Sequence, residues 1–160
     1  MSREKAISKV LAKLEYGVYV VTMGQGKTGN AFTASWVTQV SGEPPMVAVS
    51  INNKHQSARL LKDLRSFAVN ILPVGEEGVA KTYYGPAESG YDKLQSTNIK
   101  AAPETGCPII PGSVGFLDCV IVNTVKAGDH TVYIGEVLSA ELENDVDILT
   151  STSSRLRYTG

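Results

Sequence analysis

NAFTASWVTQVSGEPPMVAVSINNKHQS, residues 30–57, carries two strands and the start of a helix in one run. Alternation over residues 31–40 predicts a strand. Ser41-Gly42-Glu43-Pro44-Pro45 predicts a tight turn, and residues 46–51 a second strand that runs into a polar loop. A helix is expected to start near Gln56. In the first strand Phe32, Ala34, Trp36 and Val40 share one face, and Ala31, Thr33 and Ser35 the other. The second face is small and hydroxylated, so a flat ligand can lie against it. At the far end Asn52, Asn53, Lys54, His55 and Ser57 surround the start of the helix, where unpaired N–H groups and the helix dipole favour an anion. A planar group at one end and a phosphate at the other together suggest a nucleotide-like cofactor.

Composition sets the frame around that stretch. The 160 residues fit a single domain, 1–160, long enough to bury a core. With 42% hydrophobic and 19% charged residues the balance is that of an ordinary folded domain. A net charge of −1 without a dense Lys/Arg stripe argues against a nucleic-acid partner. Fifteen glycines and seven prolines point to many turns and a β-rich fold. Cys107 and Cys119 form no CxxC; they are expected to be reduced thiols, with Cys119 inside an apolar strand. Together with His55 and His130 they make a poor zinc site, so no metal is expected. The charged, amphipathic N-terminus has no signal-peptide core, and no apolar run approaches the roughly 20 residues that span a bilayer. The expectation is a cytoplasmic protein without a membrane partner.

Outward from the centre, residues 2–14 carry Ile7, Val10, Leu11 and Leu14 on one helical face, and Ser2 is a candidate cap. Residues 16–23 predict a strand. Gly24, Gly26 and Gly29 then satisfy GxGxxG, but the following residues have a strand period rather than opening a helix. Gly26-Lys27-Thr28 imitates the end of a P-loop whose first glycine would fall at Val21. Both phosphate-loop readings fail, and a mobile hairpin loop is expected there.

Downstream, residues 57–65 predict a helix burying Leu60, Leu61 and Leu64, residues 67–72 a strand closed by Pro73, and residues 76–84 a helix ended by Gly85-Pro86. Residues 87–111 form a long irregular connection with one turn around 91–94, of the kind often tied to function or to an interface. Strands follow over 114–125 and 130–143, joined by Lys126-Ala127-Gly128-Asp129, with His130 on an apolar face beside Val132 and Ile134. A short strand over 146–149 and a tail with Leu156 and Tyr158 complete the chain. Six or seven strands, most reached by hairpins, favour a closed antiparallel barrel with peripheral helices over a parallel sheet.

Several of these segments, in this order, resemble the flavin reductase-like family, whose members adopt an FMN-binding split barrel. They are Thr33-Ala34-Ser35-Trp36 followed by Pro44-Pro45; residues 46–51 leading to Lys54-His55-Gln56-Ser57; Phe67-Ala68-Val69-Asn70-Ile71-Leu72; Gly106-Cys107-Pro108; and Gly128-Asp129-His130 before Tyr133-Ile134-Gly135-Glu136-Val137. The chain is also similar to flavoredoxin and to reductase modules attached to rubredoxin or flavodiiron proteins. The resemblance implies a mainly β fold, an antiparallel, Greek-key-like split β-barrel with peripheral helices. It also implies a homodimer with one FMN per subunit near the interface. Thr33, Ala34, Ser35 and Trp36 would line the isoalloxazine, while Ser50, Asn52, Lys54 and Ser57 would hold the ribityl phosphate. NADH or NADPH would donate electrons, and free flavin or a redox partner such as a rubredoxin or flavodiiron protein would accept them. His130 becomes a catalytic candidate that shapes the nicotinamide site.

Each residue also has a plainer reading. Lys54 and Ser57 can be a solvated lysine and a helix cap, Thr33 and Ser35 ordinary strand residues, and His130 a structural histidine. Trp36 points away from Thr33 and Ser35, so its backbone is expected to matter more than its indole. Tyr83 and Tyr84 can stack on a ring or pack an interface. The rival functions are a flavoredoxin-like carrier without direct NAD(P)H use, a non-redox barrel, and a barrel for another cofactor such as F420 or haem.

Overall fold

The computed structural model describes residues 1–25, 29–84, 94, 99–156 and 158. The glycine-loop reading therefore falls partly, and the turn around 91–94 mostly, outside the described residues.

Helix α1 spans Arg3–Leu11, and the Ser2 hydroxyl accepts from the Lys5 N–H at its start. It buries none of its residues: Ile7, Val10 and Leu11 are exposed. Strands β1 (Tyr19–Met23), β2 (Asn30–Ala34), β3 (Val37–Gly42) and β4 (Pro45–Asn52) follow, then α2 (Gln56–Leu64) and β5 (Ser66–Ile71). After α3 (Glu77–Thr82) come the short strands β6 (Lys100–Ala101) and β7 (Pro108–Ile109). The long hairpin β8 (Gly115–Ala127) and β9 (His130–Leu142) and a final turn of helix, α4 (Ser151–Ser154), close the order. The hairpin turns at Gly128, whose φ of 61° suits a residue without a Cβ.

Seven strands form one antiparallel sheet in the order β2-β1-β5-β8-β9-β4-β3, with β6 and β7 paired separately. The strand expected over residues 31–40 is two strands. β2 pairs with β1, at one edge of the sheet, and β3 pairs with β4, at the other. Ser35 and Trp36 carry the chain from edge to edge. The break is held by Val37 N–H donating to the Ser35 carbonyl at 3.0 Å and Ser50 N–H donating to the Trp36 carbonyl at 2.9 Å. No ladder joins β2 to β3, so the closed barrel expected from the hairpin pattern is a split one.

The barrel interior takes Val21, Phe32, Ala34, Leu61, Phe67 and Tyr133 in one buried cluster. A second cluster, with Val18, Val20, Ala31, Leu72, Tyr83 and Leu149, covers the other side of β1 and β2. Both faces of β2 are therefore covered and all five of its residues are buried. Helix α2 sends Leu61 fully into the first cluster, while Leu60 and Leu64 pack at its margin.

In β9 the inward side chains are Tyr133 and Val137. Val132 and Ile134 are half-buried on the outer side, so the face assigned to His130 is not the barrel interior. His130 is nevertheless buried, beneath rings described below. Residues 146–149 make no strand; the segment is fastened by single bridges, Pro73 to Ile148 and Gly17 to Thr150. Cys107 and Cys119 are both buried and free. No helix among the described residues is long and apolar enough to cross a membrane.

Candidate functional site

At the seam of the barrel lies a groove of about 180 Å³. Phe32, Thr33, Ala34 and Ser35 form one wall, Ser50, Ile51 and His55 another, and Tyr83, Tyr84 and Tyr158 the rest. Three consecutive residues of β2 and Ser35 just after it line the groove, as a strand edge does and a strand face does not. The expected hydroxylated face is in fact covered: the Thr33 hydroxyl donates to the Ala80 carbonyl at 2.6 Å.

Along the outward edge of β2, Ala31 N–H donates to Asn30 Oδ1 at 2.8 Å and Thr33 N–H to the Tyr83 carbonyl at 3.2 Å. Ser35 N–H is next in this series and finds no acceptor among the described residues. Ser35 is buried, and its hydroxyl also lacks a partner among them.

Where β4 leaves the sheet, the chain winds into α2. Asn52 Oδ1 accepts from Lys54 N–H at 2.9 Å, Asn53 Oδ1 accepts from the Thr131 hydroxyl at 2.6 Å, and His55 becomes the cap. His55 Nδ1 accepts from Ser57 N–H at 3.3 Å, and its ring stands 5.5 Å from that of Phe32. Burial pushes the His55 imidazole below its usual pKa. The first turn of α2 holds no acidic residue, and the first N–H of any helix has no intrahelical acceptor. Ser57, fully buried, has a hydroxyl without a partner among the described residues. Such a group costs about 1–3 kcal/mol unless something fills it.

The sequence-derived candidates therefore separate. Thr33, Ala34, Ser35 and Ser50 line the groove, and Ser57 lies two residues beyond its wall at His55. Lys54 is exposed beside it, and the Asn52 side chain is used in the local turn. The Trp36 backbone, expected to matter more than the indole, gives its carbonyl to Ser50 N–H, and the indole lies 4.7 Å from the His130 ring. His130 does not line the groove. Its Nδ1 is 2.6 Å from Asp129 Oδ1 and its Nε2 3.2 Å from the Tyr158 hydroxyl. Two lining residues carry parts the sequence did not show: His55 as cap, and Tyr158, which comes from the tail. A histidine just before a helix is a weak cap signal, and nothing local announces Tyr158.

A profile of the flavin reductase like domain matches residues 11–160. The chain belongs to the flavin reductase-like family. It is 33% identical over 135 residues to an NADH-dependent FAD reductase of Streptomyces globisporus, covering 84% of this chain and 74% of the relative. The solved NADH:FAD oxidoreductase of Streptomyces globisporus superposes with a TM-score of 0.85 at 28% identity, over 99% of this chain and 94% of that one. A diflavin flavoprotein of Nostoc is 30% identical over 82% of this chain, which spans only 24% of that longer protein. The family's split-barrel fold is the fold described above.

The groove suits a flavin on its own features. Ser35, at the end of β2 beside aromatic walls, carries an amide and a buried hydroxyl that find no partner among the described residues. A helix N-terminus free of acids, with a buried unpartnered hydroxyl, lies next to it.

Proposed function

We propose that this chain is an NAD(P)H-linked flavin reductase that holds FMN in the seam groove and passes electrons to free flavin or to a redox partner protein. Thr33, Ala34 and Ser35 would hold the isoalloxazine, and Ser57 and Lys54 at the N-terminus of α2 would hold the phosphate. One observation carries the reading: the buried hydroxyls of Ser35, just after β2, and Ser57, on α2, have no partner among the described residues. A single helix N-terminus suits the single phosphate of FMN. The NADH-dependent relative supports NADH as donor, and a similar stretch that makes up 24% of a longer diflavin flavoprotein supports electron exchange with another flavin centre.

When bound, the flavin supplies the hydride-accepting and electron-transferring chemistry. The protein binds and orients it. Ser35 N–H and Oγ offer hydrogen bonds at the ring edge, where a fixed donor stabilises developing negative charge. The α2 N-terminus and Ser57 fix the other end, and Tyr83 and Tyr84 shield the ring from water. No general acid or nucleophile is required.

We also propose a homodimer. The face of α1 with Ile7, Val10 and Leu11 is exposed, as are Val122, Val125 and Leu138 on the β8–β9 hairpin. A second copy covering these apolar side chains would remove them from water.

The test of function is an absorption spectrum of the FMN-loaded protein before and after anaerobic NADH, then NADPH. Prompt loss of the flavin bands with either nucleotide is expected. Bands that persist with both nucleotides yet bleach with dithionite would overturn the reductase reading in favour of a carrier.

A further inference from the structure

The buried ring of His130 has no free nitrogen. Asp129 Oδ1 stands 2.6 Å from Nδ1 and is itself exposed at the hairpin turn. The hydrogen bond to His130 holds the Asp129 carboxyl below its usual pKa, as fits an ionised acceptor. A carboxylate at that distance accepts from Nδ1–H, and the tautomer with its proton there presents Nε2 as an acceptor. The hydroxyl 3.2 Å from Nε2 is that of Tyr158, so the phenol donates and its proton is spent.

Ring contacts fix the same arrangement. His130 lies over Trp36 at 4.7 Å with a 33° tilt, and Tyr158 meets Trp36 edge-on at 4.8 Å and 83°. Edge-to-face pairs of this kind prefer one relative orientation. Tyr158 also separates two spaces. On one side it lines the groove; on the other, with Trp36, it bounds an apolar cavity of about 380 Å³ beneath α1. A phenol held this way can offer the groove only oxygen lone pairs, which makes it a hydrogen-bond acceptor.

We propose that Tyr158 is a flavin-contacting residue that accepts hydrogen bonds from the ring imide or ribityl hydroxyls, and that His130 is the positioning residue that aims it. This rests on the flavin reading of the groove. It replaces a direct role for His130, whose nitrogens are occupied and whose ring stands outside the groove. Asp129 sets the histidine tautomer, His130 takes the phenol proton, and Trp36 sets the ring plane. The Asn52 backbone N–H also hydrogen-bonds the phenol oxygen, which leaves one lone pair for the groove, and Asp129 and Tyr84 are the other titratable groups that face it.

The experiment is a fluorescence titration of the full chain with FMN and, separately, with riboflavin. The variants are Tyr158→Phe, His130→Ala, His130→Gln, His130→Ala with Tyr158→Phe, and Ser57→Ala, each checked by thermal melting. Phe keeps the partition and removes only the hydroxyl. Tyr158→Phe and His130→Ala should each weaken both ligands about 10-fold, the worth of one hydrogen bond to a positioned acceptor. The double variant should lose no more than either single one, and Gln, whose amide reaches the Nε2 position, should recover most of the loss. Ser57→Ala should weaken FMN and leave riboflavin alone. Unchanged binding in Tyr158→Phe, with FMN still weakened by Ser57→Ala, would overturn this proposal and leave the groove reading standing. Multiplying losses in the double variant would also overturn it, since His130 would then act independently of Tyr158. Wild-type protein that binds neither ligand would overturn the groove reading, and this inference with it. Should His130→Ala fail to melt cooperatively, Tyr158→Phe decides alone.

Discussion

Ser50 donates its N–H to the carbonyl of Trp36 at 2.9 Å, and this bond ties β4 to the two-residue break between β2 and β3. The chain crosses there from one edge of the sheet to the other. The crossing leaves Ser35 outside both ladders, and an amide with no acceptor among the described residues, beside a groove, is what a ring with hydrogen-bonding edges can use.

Close packing across the barrel predicts that Gly135 tolerates no side chain. A Cβ there would stand 2.6 Å from Phe67 Cζ and 2.9 Å from Cys119 Cβ. Phe67 is fully buried and cannot swing away. Gly135→Ala should cost about 1–3 kcal/mol, read as a lower urea midpoint with an unchanged slope.

The parts of this fold readable from sequence are those specified locally. The β8–β9 hairpin has period-two alternation and a Gly-Asp turn, and α2 has its leucines at 60, 61 and 64. The break at Ser35–Trp36 was not readable, because alternation runs on through residues 31–40 while the strand partners change. Partner exchange is a non-local event. For the same reason the small face of β2 looked open: the sequence does not show that Ala80 and Tyr83 fold over it. The anion site at α2 was legible as a cluster of polar residues before a helix. Its division of labour, with His55 capping and Asn52 turning the loop, depends on side-chain geometry. Tyr158 meets His130 from 28 residues away and leaves no local trace.

Asp118 is fully buried and fastens residues 104–105 to β8 and β9. It accepts from Glu104 N–H at 2.8 Å, the Thr105 hydroxyl at 2.5 Å and the Ser139 hydroxyl at 3.3 Å. Asp118→Asn turns one acceptor into a donor facing donors. A stability loss of about 2–3 kcal/mol is expected in chemical denaturation, and Asp118→Ala should not be milder.

Burial, with Asp118 nearby, pushes the Cys119 thiol up to about 12, and burial also raises Cys107. Both stay protonated at pH 8, and the thiolate is the reactive form. A thiol reagent should label neither residue in the native protein over minutes and both in denaturant. Fast native labelling would contradict the buried placement of β8.

His55 predicts a pH dependence of stability. Its folded pKa lies below the ordinary 6.5 because of burial, so below that value the unfolded chain binds the proton more readily. Stability should be full above pH 6.5 and fall as the pH drops through the folded pKa. Protonation of Nδ1 also removes the cap on Ser57 N–H, which acts in the same direction. His55→Asn, a neutral cap, should flatten the melting temperature between pH 7.5 and 5.

The most direct test of the flavin site is a calorimetric titration of FMN into the wild-type protein and Ser57→Ala, with melting curves of both apo forms. The Ser57 hydroxyl is buried without a partner among the described residues, so its removal should leave the apo protein as stable or slightly more so. FMN should bind about 10-fold more weakly, the loss of one charge-assisted hydrogen bond to phosphate. Equal FMN affinity in the two proteins would contradict the placement of the phosphate at the start of α2, and with it the flavin site proposed at the seam.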